Sequence, residues 1–496
     1  MMLECYTAYL CLYPPLRTSE KRNILMLKNK KFARYSIAFC VLGILFMFMY
    51  SGLQNDQINI IQSFSAWNKT STQQPLAVGN LVCIALTFVF GTLFIKFGVR
   101  RTLIPCIIAA ALSCVGLATA NGLACSNETL AVSSHAVSDP MVVGSYWLFW
   151  ISLFLIRCCC MCLQMAGFQL ASSWFVRYRG RVLGIISLGS PLFSVLCTSV
   201  MTSFISRHLG GDYRPFYVGI AVLLLAVAIL TALLLRDRPE DVGLFPDGAD
   251  HPPVSEGIKE EPLTVRQILR MKKSWMMICN YGAYQFIVIT CMASLAAWFT
   301  YLCITNAEVV AAGPLGGLFA ELGGLKGTGA STLFIGQATK WLSVGAILGI
   351  PMSFVFGFIN DKLGTPTASL ILGITELFTV IGLMAQHSAV AATGSCSVPM
   401  LILWGFGVGC MTGGCPALHP ASISFAFGRR SYQSANRVIM AIQLIPSAVG
   451  ASIMIALIDA GKGMLGYWIL FVIVLFGIAA TIPMFRMKDA NAEDRA

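Results

Sequence analysis

Gly91-Thr-Leu-Phe-Ile-Lys96-Phe-Gly98 and Gly357-Phe-Ile-Asn-Asp361-Lys362-Leu-Gly364 are two copies of one short phrase. Glycine stands at the first and last places of both, with lysine two residues before the second glycine. Arg100 and Arg101 follow the first copy. Each copy closes a long apolar run. A bilayer-crossing helix needs about 20 such residues. Outward from the first copy, runs fall at 34–60, 76–98, 102–121, 143–173, 183–205 and 216–235. Outward from the second they fall at 274–303, 332–359, 367–386, 397–422, 434–458 and 465–485. The phrase thus follows the second run of each set. A weaker echo follows the fourth, Trp174-Phe175-Val-Arg177-Tyr-Arg179-Gly-Arg181 against Phe427-Gly-Arg429-Arg430-Ser-Tyr432. Matching phrases at matching places predict a duplicated, all-α polytopic membrane protein of twelve spans.

The domain plan follows: a tail at 1–33, a six-helix half at 34–236, a charged linker at 237–273, a second half at 274–486 and a tail at 487–496. Composition agrees. The 496 residues are 57% hydrophobic and 11% charged, with mean hydropathy +0.75. Soluble domains carry about 25% charge. The net charge of +12 does not point to nucleic acid, because its cations cluster between apolar runs. Of 34 Lys and Arg, 27 fall on the side holding both termini and the linker, five on the other, and two within spans. Positive charge marks the cytoplasmic side. The expectation is a multi-pass plasma-membrane protein with cytoplasmic termini, monomeric in its bilayer. Asn68-Lys-Thr and Asn127-Glu-Thr are glycosylation acceptor patterns on the opposite side. The first apolar stretch, Tyr6 to Pro15, has no basic residue before it and does not read as a cleavable signal.

Ionisable groups within a bilayer are expensive, so each is a functional candidate. Arg157 stands mid-span 4 and reads as a substrate- or proton-handling cation, against a structural pair. Lys340 of span 8 either attracts an anion or snorkels to the outer headgroups, with Gln337 one turn away on its face. Tyr281, Tyr284 and Gln285 give span 7 a polar-aromatic face, alongside Asn280, of the kind that suits a midplane binding site on the substrate pathway. Cys158, Cys159, Cys160 and Cys162 read as packing rather than a metal site, since only Cys158 and Cys162 share a helix face and no histidine is near. Cys125 and Cys396 are the one pairing that the sequence leaves open. His419 beside Pro420 reads as a kink or loop residue, and Arg437 as an interfacial anchor. No phosphate-binding Gly-x4-Gly-Lys-Ser/Thr loop is present, so an ion or solute gradient is the expected driving force. No cofactor or metal is expected.

These phrases resemble the major facilitator superfamily, whose loop after spans 2 and 8 reads Gly, three residues, Asp, a basic residue, one residue, Gly. Gly357 to Gly364 matches throughout; the first copy has Ile95 in place of Asp. The linker start, Arg238-Pro239-Glu240-Asp241-Val-Gly243-Leu-Phe-Pro246-Asp-Gly, with Trp174 to Arg181, resembles the oxalate/formate antiporter and monocarboxylate porter branch. The resemblance implies alternating access. It implies a small organic solute, a carboxylate anion above all, moved by antiport or with protons. It places Gln54 and Asp56 along the outer part of the pathway, Asp56 as a proton carrier, unless helix 1 has already left the lipid there. It makes span 9 peripheral, so Glu376 reads as a structural hydrogen-bonding group. Ser353 stands where the oxalate-type branch has a cation, which puts a dicarboxylate clamp in doubt. Export of a neutral or hydrophobic compound and a non-transporting sensor are the rival readings.

Overall fold

The computed structural model describes residues 30–55, 69–123, 140–196, 214–249, 263–305, 308–309, 328–393 and 398–490. Among them there is no strand. Span 1 is Lys30–Asn55, span 2 Lys69–Phe97, span 3 Val99–Leu123 and span 4 Pro140–Trp174. Span 5 comes in two pieces, Arg179–Ser187 and Gly189–Val195, and span 6 is Arg214–Leu234. In the second half, span 7 is Lys272–Thr305, span 8 Thr328–Leu363 and span 9 Thr365–Thr393. Spans 10 and 11 share Val398–Asp459, broken at Gly428 by φ 70° and ψ 175°, and span 12 is Gly463–Thr481.

Spans 1, 2 and 4 start three to seven residues before the apolar runs do. Hydropathy marks where lipid begins, whereas a helix continues as long as its hydrogen bonds do. Pro75 in span 2 and Pro351 in span 8 lie inside continuous helix, as membrane helices tolerate.

Large apolar side chains are exposed along spans 3, 6, 9 and 12: Leu112, Val222, Phe378 and Val472 among them. Such a surface suits contact with lipid chains. The buried side chains form separate cores. One gathers spans 1 to 6 around Phe32, Phe39, Trp174 and Phe175, with stacked and edge-on rings about 6 Å apart, and takes in Ala421 and Met440 of spans 10 and 11. Two others lie wholly within spans 7 to 12.

The two glycine phrases adopt the same backbone. Gly98 and Gly364 both have φ 85°, and each N–H closes its helix, on Phe94 O and Asn360 O, at 3.1 Å. The next helix begins at the following residue in both cases. Only glycine takes that left-handed conformation without strain, so span 2 turns into span 3, and span 8 into span 9, with no loop.

Candidate functional site

The halves meet at the end of the bundle that carries the linker. Span 5 crosses span 8 at Gly180, Gly184 and Gly357, where a Cβ on Gly357 would stand 2.6 Å from Gly180 O. The small residues let the backbones touch. Asp361, one turn beyond Gly357, then reaches the start of span 5. Its Oδ1 accepts from Gly180 N at 2.9 Å, its Oδ2 from Arg181 N at 3.0 Å, and Arg181 Nε lies 3.6 Å from Oδ2. A carboxylate here also meets the positive end of the helix dipole. Asp361 is 5% exposed and Arg181 33%, so the acid is shielded and the cation is a third exposed. Arg181 and Lys362 both lie over the Phe358 ring.

The pseudo-symmetric crossing, span 2 on span 11, is built differently. Gly91 packs on the Arg437 stem. Ile95 occupies the place of Asp361. Arg437 Nη1 instead donates to Thr92 Oγ1 at 3.1 Å, and its guanidinium lies 5.3 Å from the Phe88 ring centre. Arg437 Nε is buried with no hydrogen-bond partner among the described residues. Arg437 is therefore a contact between halves rather than the interfacial anchor expected. The repeat contained the signal: Arg181-Val-Leu and Arg437-Val-Ile begin spans 5 and 11 alike.

The linker start docks on the first half. Asp237 Oδ1 accepts from Arg100 N at 2.9 Å and caps the start of span 3. Asp247, at φ 56°, accepts from Val176 N at 3.0 Å and Arg177 N at 2.8 Å. Burial raises the carboxyls of both above the ordinary range, against those amide hydrogen bonds. Trp174 Nε1 donates to Arg236 O at 3.1 Å, and Lys31 Nζ to Val242 O at 2.7 Å. Arg100 and Arg101 line a small surface cavity of about 500 Å³ with Arg236, Asp237 and Asp241. Lys96 is exposed beside it.

Within the bundle, Arg157 stands at the centre of span 4, half-buried, with its stem against Gly79 of span 2. Its carbonyl accepts from Cys160 Sγ at 3.0 Å and Cys83 Sγ at 3.3 Å. Cys158, Cys159, Cys160 and Cys162 are buried. Tyr281 and Tyr284 are fully buried, and they face the core of their own half. Tyr281 Oη pairs with Ser369 Oγ at 2.6 Å, Tyr284 Oη with Thr481 Oγ1 at 3.1 Å. Gln285 is half-buried and accepts from Cys415 Sγ at 3.3 Å. His419 pairs with Gln443 Oε1 at 2.6 Å, and Gln443 donates to Met277 O at 2.8 Å. His419 thereby ties span 10 to spans 11 and 7, in place of the kink or loop role. Ser353 is buried at the span 5–8 crossing, its hydroxyl on Gly349 O at 3.0 Å. Glu376 is 0% exposed, and neither carboxyl oxygen has a hydrogen-bond partner among the described residues. The structural hydrogen bond expected of it is not there.

Gln337 and Lys340 lie in the span 8 helix and Gln54 in span 1, but their side chains lie outside the described residues. So do Asp56, Asn68, Asn127, Cys125 and Cys396.

The model of the Major Facilitator Superfamily matches residues 32–451. The solved structures that share the fold include two symporters. One is the proton:xylose symporter XylE bound to 6-bromo-6-deoxy-D-glucose: TM-score 0.57, 16% identity, 91% of this chain and 95% of that one. The other is the fucose:proton symporter FucP of E. coli: TM-score 0.61, 14% identity, 92% of this chain and 99% of that one. A search of curated proteins finds no match.

Proposed function

This chain belongs to the major facilitator superfamily, an integral multi-pass membrane protein of a transporter family, and from that premise we propose that it moves a small organic acid by alternating access. The observation that carries the solute class is Arg157. A cation at the centre of span 4 costs about 2.5–3.5 kcal/mol on insertion scales, a cost that a hydrophobic residue would avoid. A guanidinium holds a carboxylate through two parallel hydrogen bonds. Ser353 is committed to the span 5–8 crossing, so no second cation sits there. That favours a monocarboxylate over a dicarboxylate. Lys340 completes the attraction if its side chain faces the same cleft. Exchange against a second anion and cotransport with a proton both fit the reading.

A second reading has one observation behind it: two of the solved structures that share the fold are sugar:proton symporters. A neutral solute driven by protons is accordingly the alternative. Uptake into proteoliposomes decides between them, with a panel of labelled monocarboxylates, dicarboxylates and sugars, each with and without a pH gradient. The proposal expects monocarboxylate uptake that is lost in Arg157→Gln and partly kept in Arg157→Lys, since lysine keeps the charge and loses the bidentate geometry. Sugar uptake indifferent to Arg157 overturns it.

A further inference from the structure

Span 9 presents lipid-facing bulk on one side, Ile374, Phe378 and Ile381. Its inner side carries a line of buried polar groups: Thr365, Ser369, Glu376, Thr379 and Gln386. From Thr365 to Gln386 the helix rises about 31 Å, close to the hydrocarbon thickness of about 30 Å. Glu376 stands at its middle. The hydroxyls satisfy themselves on their own helix, Ser369 Oγ on Thr365 O and Thr379 Oγ1 on Thr375 O, both at 2.9 Å. A glutamate cannot do so. With both oxygens lacking a hydrogen-bond partner among the described residues, it is the most expensive side chain on the helix.

Tyr281, Tyr284 and Cys291 of span 7, Cys415 of span 10 and Tyr467 of span 12 are buried in the same half. Span 8 meets span 9 at Asn360, whose Oδ1 accepts from Thr365 Oγ1 at 2.8 Å. Neither Glu376 carboxyl oxygen accepts from a cationic side chain among the described residues. Polar side chains stand between Glu376 and the linker end: Thr365 Oγ1 donates to Asn360 Oδ1, Ser369 Oγ to the Thr365 backbone O, and Tyr281 Oη pairs with Ser369 Oγ. The Tyr281 and Tyr284 rings are 5.8 Å apart, and Tyr284 Oη lies against Gly373, one turn from Glu376.

We propose that Glu376 is a proton-binding site at the middle of the membrane, inside the second half and apart from the solute cleft. The proton comes from water. It adds to one carboxylate oxygen and leaves again as a proton, with no other bond made or broken. The site rests on the transporter reading and adds to it a place where a coupled proton is held.

The test needs no solute. The full chain in lipid nanodiscs is taken from alkaline to acid pH while its infrared difference spectrum is recorded. The carbonyl stretch of a protonated carboxyl in an apolar site should grow on acidification and shift in deuterium oxide. Glu376→Gln should lose that band, and Glu376→Asp, which keeps a carboxyl if the glutamine variant fails to fold, should move it. A wild-type spectrum with no pH-dependent carboxyl band overturns the proposal, and so does a band that survives unchanged in either variant. Because no substrate is added, failure here leaves the organic-acid reading standing. A normal band beside absent uptake sinks the organic-acid reading alone.

Discussion

Asp361→Asn removes one charge and leaves the shape, so its effect can be worked from the latch itself. The carboxylate accepts two backbone N–H bonds, at 2.9 and 3.0 Å, and stands 3.6 Å from Arg181 Nε. Asparagine keeps one acceptor oxygen and turns a donor toward the other amide. One bond to a charged acceptor is lost, worth about 1.5–3 kcal/mol. The surviving bond becomes neutral and loses about half its strength, about 1 kcal/mol more. The ion pair adds little, about 0–1 kcal/mol, because Arg181 is a third exposed. The sum is about 2.5–5 kcal/mol against the state in which the linker end is closed. At 1.4 kcal/mol per decade the opening equilibrium shifts by roughly sixty-fold to a few thousand-fold. Amide hydrogen exchange reads this directly, since local exchange follows the opening free energy. In nanodiscs, the Gly180 and Arg181 amides should exchange faster by that factor, while the core of spans 1 and 4 is unchanged. Transport should fall further than the yield of folded protein. Unchanged exchange at these two amides alongside lost transport would refute the latch. Faster exchange everywhere would make Asp361 a folding residue instead.

Ile95→Asp supplies the missing acid at the second crossing; a half-buried pair with Arg437 worth about 1 kcal/mol should slow exchange at the start of span 11 about five-fold. Asp247→Asn tests the docked linker. Its raised carboxyl binds more protons folded than unfolded, so that part of the stability is present at low pH and lost as pH rises through the raised value. Melting of the detergent-solubilised chain should therefore depend less on mildly acidic pH in the variant, with Asp237 retaining a share. A C-terminal tag should be shielded in intact cells and labelled after permeabilisation; labelling from outside would reverse the topology expected from the Lys and Arg bias.

The sequence showed most clearly what the backbone needs. Gly98 and Gly364 stood out because only glycine serves a left-handed turn between two helices, so the repeat was visible in one chain. Asp361 stood out by resemblance to the facilitator loop, since the first copy has Ile95 at that place. Helix ends were less legible. Lys30, Lys69 and Pro140 begin helices outside the apolar runs, and hydropathy measures lipid contact rather than hydrogen bonding. Span 7 was read as a pathway face because it carries Tyr281 and Tyr284. A period of 3.6 gives which residues share a face, not whether that face meets a cleft or its own core. The hydroxyl partners, Ser369 and Thr481, lie about 90 and 200 residues away, beyond local pattern. Arg437 and Glu376 were misjudged for a related reason. Each was weighed by its depth and helix number, while its role depends on what packs across from it.

The two crossings differ in what holds them, and the difference bears on how the linker end opens. Carboxylates cap the start of span 3, the turn before span 5 and the start of span 5, through Asp237, Asp247 and Asp361. The first two come from the linker, which therefore moves with the first half. Asp361 alone comes from the second half, so it is the capping acid that must let go when the halves part. At the span 10–11 turn the tie is cationic and internal, Lys273 Nζ on Ala426 O at 2.7 Å and over the Phe427 ring at 4.3 Å. Span 2 slides on span 11 through Gly91, Phe88 and Thr92, with Ile95 where an acid would brake it. Opening then breaks two amide–carboxylate bonds and an ion pair on one side, against one guanidinium–hydroxyl bond and a ring contact on the other. A hinge with one strong side and one weak side tilts rather than separates evenly. Salt should barely change that bias, because Asp361 is 5% exposed and a buried acid is poorly screened. The asymmetry between Ile95 and Asp361, visible as one letter in the sequence, is thus the physical origin of an asymmetric latch.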